Sequence, residues 1–102
     1  MANLKVELQG NGIIDNASIY LEDPQESMEY RLDPDSDTVW TTKVTIPIEN
    51  LLDYSLHVLA FSGTHFTCTI TNEDTKKKVE FDGITGTKIK NRANIKGSKN
   101  FE

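Results

Sequence analysis

The chain has 102 residues and a net charge of −5, a size that fits one domain around one modest core. Hydrophobic residues make up 36% and charged residues 26%. That is lean for a globular protein, but Ile, Val and aromatic residues run through the whole length, which excludes a wholly disordered chain. No apolar run approaches the ~18 residues of a membrane-spanning helix, and the single cysteine excludes a disulfide framework and the multi-cysteine zinc patterns.

Period-2 alternation dominates, and no segment holds a 3.6-residue stripe. In residues 4–8, Leu4, Val6 and Leu8 share one face against Lys5 and Glu7. The GNG at 10–12 has the backbone freedom of a tight turn. Residues 17–22 put Ile19 and Leu21 together, and 27–32 put Met28, Tyr30 and Leu32 inside. Residues 38–46 align Trp40, Val44 and Ile46 opposite Thr41, Lys43 and Thr45. Pro47 ends that strand because it cannot donate to a ladder.

IENLLDY, at 48–54, predicts a short helical turn crossing between sheets. Residues 54–61 are apolar on both faces, as in a central strand. Residues 65–71 alternate Phe66, Cys68 and Ile70 against His65, Thr67, Thr69 and Thr71, and 77–82 bury Val79 and Phe81. ITGTKIK, at 84–90, predicts a last strand. Residues 91–102 are basic and poor in apolar side chains, and predict an edge strand or a mobile tail. The expected architecture is all-β. It is an antiparallel β-sandwich of about eight strands over residues 1–90, with immunoglobulin-like or similar Greek-key topology.

The stretch SGTHFTCTITNE resembles the strand that carries the second cysteine of immunoglobulin domains. It covers about a dozen residues, with Phe66 where the family has tyrosine and no first cysteine to pair with Cys68. The resemblance implies a sandwich of that kind and carries over no functional residue.

Charge is unevenly spread. Residues 1–75 hold 3 basic and 13 acidic side chains; residues 76–102 hold 8 basic and 3 acidic. A surface of two signs suits docking of a partner or of a second copy. The basic end lacks aromatics to stack bases, and the chain as a whole is acidic, which speaks against nucleic acid. Lysines on an edge strand also oppose edge-to-edge aggregation.

DPDSD, at 33–37, is the main candidate for chemistry. Asp33, Asp35 and Asp37 can supply three oxygens to calcium, completed by acids such as Asp23, Asp53, Asp74 or Asp82. The spacing is not that of an EF-hand, which needs Gly and Glu where Thr38 and Val44 stand. The competing assignment is a solvated turn, with Asp and Pro at its first positions. Three such carboxylate pairs cost at most about 2 kcal/mol in water, so the turn needs no cation.

His65 and Cys68, three apart on one strand, face opposite ways and cannot form a thiol–imidazole pair. Cys68 reads as a buried thiol, and His57 as a half-buried histidine. No serine elbow, phosphate loop or paired-carboxylate motif occurs. Trp40 and Tyr30 keep step with aliphatic neighbours and belong to the core. Tyr20 and Tyr54 are the better candidates for an exposed sugar-stacking platform.

The expected function is a non-enzymatic binding or assembly module acting through protein–protein contacts, with self-association into a homo-oligomer. The alternatives are a lectin-like carbohydrate-binding domain, calcium-assisted, and a calcium-responsive membrane-surface domain. The start, MANLKVELQG, has no basic segment followed by an apolar one. The expected compartment is therefore the cytoplasm, with a mature exported form as the alternative.

Overall fold

Alternating apolar side chains become strands wherever they can share one inner face. A computed structural model describes residues 2–22, 27–47, 51–86 and 91–101. Among these are nine strands: β1 (Ala2–Gly10), β2 (Ile14–Glu22), β3 (Ser27–Arg31), β4 (Asp33–Pro34), β5 (Val39–Ile46), β6 (Leu51–Ala60), β7 (His65–Asn72), β8 (Lys78–Ile84) and β9 (Arg92–Asn100).

They form two antiparallel sheets packed into a compact sandwich. The first has the order β4-β5-β1-β7-β8, and the second β3-β2-β6-β9. Apart from β3 and β4, which form one run that passes from the second sheet to the first at Leu32, consecutive strands run in opposite directions, so the connections gather at two ends. One end holds residues 11–13, 35–38, 61–64 and the β8–β9 connection. Its backbone is tied by Ile14 N–H to Asp37 C=O (2.8 Å), Asn11 N–H to His65 C=O (2.9 Å) and Gly63 N–H to Thr85 C=O (2.8 Å).

The core follows the alternation. Leu4, Val6 and Leu8 of β1 are fully buried, as are Ile19, Leu56 and Ile70. Each such side chain contributes roughly 1.5–3 kcal/mol of transfer free energy. The strands β1 and β6, each paired on both sides, line the middle of the core with Leu4, Val6 and Leu8 and with Leu52, Tyr54, Leu56 and Val58. Trp40 lies in the core, and its indole Nε1 is buried without a hydrogen-bond partner. Tyr30 is half-buried against the core and Leu32 is fully buried. The Met28 side chain lies outside the described residues.

Three local expectations change. The predicted helical turn at 48–54 is strand from Leu51 onward, because Leu52 and Tyr54 alternate inward with period 2; residues 48–50 lie outside the described residues. The central strand ends at Ala60, not 61, and Phe61 turns out to solvent at 70% exposure. The predicted strand at 84–90 stops at Ile84. Thr85 and Gly86 form a turn, and Gly86 has φ +85°, which L side chains rarely adopt. Residues 87–90 lie outside the described residues. Asn91, also at positive φ, locks the return by accepting from Ser62 N–H and Oγ–H, both at 3.1 Å.

Residues 92–100 pair with β6 along their whole length, from Arg92 opposite Leu59 to Asn100 opposite Leu51. At the other end, Asp74 accepts from the backbone N–H of Asn3 (3.1 Å) and from its side-chain amide. These bonds hold the Asp74 carboxyl below its ordinary range.

Candidate functional site

The outer face of the second sheet is set by register. Cross-strand pairing aligns Glu29, Tyr20, Ser55 and Lys96 in one row, and Arg31, Ser18, His57 and Asn94 in the next. Tyr20 and His57 meet edge to face, with ring centroids 5.3 Å apart. Ser55 Oγ lies 3.3 Å from His57 Nε2 and donates to Asn94 Oδ1 at 3.3 Å. Further along, Ser98 Oγ donates to Asp53. A hydrogen bond to Glu29, then the charge of that carboxylate, pushes the Tyr20 hydroxyl above its ordinary range.

Beside this row a groove of about 740 Å³ runs over Asn16, Ser18, His57, Arg92 and Asn94, and around the edge of β9 to Gly83 and Ile84. The site thus has one aromatic edge and a set of donors and acceptors. Ser55 and His57 approach each other on an open sheet surface.

Tyr54 requires a correction. It is not an exposed platform: it is 6% exposed, facing the core from β6. Its ring stacks on Phe81 with centroids 4.1 Å apart and planes within 8°. A Cβ on Gly97 would lie 2.9 Å from the Tyr54 hydroxyl, so the bare glycine makes room for it. Burial pushes the Tyr54 hydroxyl above its ordinary range. Tyr20 and Tyr54 therefore occupy opposite faces of the sheet and form no common site.

Asp33, Asp35 and Asp37 are all exposed. Asp33 and Pro34 pair with Thr41 and Trp40 as β4. A tight turn follows, in which Asp35 N–H and Ser36 N–H both donate to Val39 C=O, at 2.8 and 3.2 Å. Thr41 Oγ1 donates to the Asp35 carboxylate at 3.3 Å. Among the described residues, no three His, Cys, Asp or Glu side chains come together in a way that could hold a metal ion. Of the acids named to complete a calcium site, Asp53 sits near the start of β6, Asp74 at the far end and Asp82 on β8; Asp23 lies outside the described residues. We expect several millimolar calcium, added after EDTA, to leave the thermal midpoint unchanged. Ligand at 100 times its dissociation constant would add about 2.7 kcal/mol, or roughly 10 °C or more.

Cys68 is fully buried between Phe66 and Ile70, while His65 is exposed. Desolvation pushes the Cys68 thiol up to about 12. The native protein should resist iodoacetamide at pH 8, and alkylation should begin only in denaturant; mass spectrometry of the intact chain reads both.

Two features escape sequence reasoning. Ile13 and Phe61 are exposed apolar tips on neighbouring turns. The other is the flank where β8 and β9, the outer strands of the two sheets, lie side by side. There Lys99 Nζ donates across to Glu80 C=O at 2.7 Å. Glu80 and Asp82 point outward from β8, and Arg92 and Lys96 from β9. The charges were legible in sequence, but their juxtaposition needed the topology. Among the described residues, no helix is long and apolar enough to cross a membrane. No family model matches the chain, and neither a curated protein nor a solved structure gives a match.

Proposed function

We propose that this chain is a non-catalytic β-sandwich module that works by protein–protein contact and assembles with copies of itself. The observation that supports this most directly is the open flank: two outer strands on one side of the sandwich, β9 basic and β8 carrying Glu80 and Asp82 beside Lys78. Unpaired strand edges are ready templates for another strand. The connectivity fits the Greek-key, immunoglobulin-like type, since β6 returns to lie beside β2 after β3 and β5 have been laid down. Light scattering across a concentration series tests the proposal. The expected result is a mass above the monomer that falls as salt rises; a monomer at every concentration and salt would defeat it.

A second assignment, carbohydrate binding, is favoured by one observation. Tyr20 and His57 form an aromatic edge among Ser18, Ser55, Asn94 and Arg92 on an accessible face. Sugars take such a mixture of ring face and hydrogen-bonding groups. Glycan-array binding lost on Tyr20→Ala would support it, and retained binding would remove Tyr20 from it.

A further inference from the structure

The two edges at the open flank have complementary chemistry. β8 reads Lys78-Val79-Glu80-Phe81-Asp82, with Val79 and Phe81 buried and Lys78 and both acids outward, so that its outer face carries one more acid than base. β9 carries Arg92, Lys96 and Lys99 and no acidic residue. Each is the last strand of its sheet, so among the described residues neither has a partner on its outer side. The groove described above reaches the gap between them, where Gly83, Ile84, Ala93 and Ile95 line it.

We infer that two copies of this chain join through this flank, with β8 of each adding to β9 of the other about one two-fold axis. This rests on the assembly reading above and specifies how assembly occurs. The axis runs parallel to the strands. Such a rotation keeps strand direction and exchanges the two sheet levels. The β8 of a second copy then lies beside β9, antiparallel, because β8 and β9 run oppositely within one chain. The same operation places the second copy's β9 beside β8. Both edges are satisfied at once, the interface is closed, and no free edge remains on that flank.

Charge selects this pairing over its competitor. Outer faces stay outer under the rotation, so Glu80 and Asp82 arrive on the face that carries Arg92 and Lys96. Opposite charges across neighbouring strands stabilise the pair, and like charges destabilise it. The alternative two-fold, with its axis normal to the sheets, sets β8 against β8 and β9 against β9, and the second contact is basic on basic. The lysines that guard β9 against its own kind thus accept β8. Lys99 already reaches the Glu80 carbonyl within the chain, and that oxygen keeps a second lone pair for an incoming N–H.

The test uses charge-reversed edges of the full chain, with mass read by light scattering at low salt and folding checked by circular dichroism. One variant is Glu80→Lys/Asp82→Lys; the other is Arg92→Glu/Lys96→Glu. The wild type is expected to be a dimer. Each variant alone should be folded, with dimerisation weakened by about tenfold or more. Mixed one to one, they should recover a dimer, because one chain then has two basic edges and the other two acidic ones. Lys43→Glu, on the outer face of β5 and away from this flank, should leave the mass unchanged. A wild-type dimer that neither variant weakens would overturn this interface while leaving self-assembly intact. A wild-type monomer would overturn both. A mass that grows with concentration past two chains would overturn the closed two-fold.

Discussion

Tyr54→Ala is expected to destabilise the protein by about 3–5 kcal/mol, the range for truncating a large buried aromatic. Domains of this size have only about 5–15 kcal/mol in total, so the variant should be marginal, with a thermal midpoint lowered on the order of 20 °C. The loss has two sources. The ring is buried and stacked on Phe81 at 4.1 Å, and the space it leaves is walled by two sheets that cannot collapse onto it. The companion Tyr20→Ala should cost no more than about 1 kcal/mol, because that side chain lies on the outer face. Urea unfolding of the pair measures the contrast. Equal losses would mean that the assignment of one tyrosine to the core and the other to the surface is wrong.

Gly83→Val should cost about 1–3 kcal/mol through overpacking. A Cβ at this position would press into Ile95 Cδ1 and stand 2.8 Å from Phe66 Cζ. Ile95 is half-buried and can give way, whereas Phe66 is buried, so the strain concentrates on the ring. Adding Ile95→Val removes the offending methyl and should recover part of the loss. A double-mutant cycle from urea unfolding reads the coupling, and strict additivity of the two changes would show that β8 and β9 do not pack as described.

The inward residues were legible because alternation has a period that any strand must obey. Leu4, Val6 and Leu8, or Phe66, Cys68 and Ile70, can face a core only together. The same signal failed at 48–54 because LLDY is short: Leu51 and Tyr54, three apart, suit one helical turn, while Leu52 and Tyr54 suit an alternating strand. Tyr54 was misplaced for this reason, since the helical expectation put it beside a loop. DPDSD could be recognised as a turn by its residue types, yet whether its carboxylates met other acids depended on where Asp53, Asp74 and Asp82 stood. They stand on the other sheet's face, at the far end and on β8.

Composition and alternation by themselves determined an all-β chain with one buried thiol and a charge divide between its first three quarters and its end. Periodicity is local, so it needs only neighbouring residues to be read. Tertiary structure alone decided which strands became edges, that β8 and β9 share a flank, and that Tyr20 meets His57. Those outcomes depend on pairing between residues far apart in the chain, where hydrogen bonding is indifferent to side-chain identity and the choice falls to the packing of the whole core.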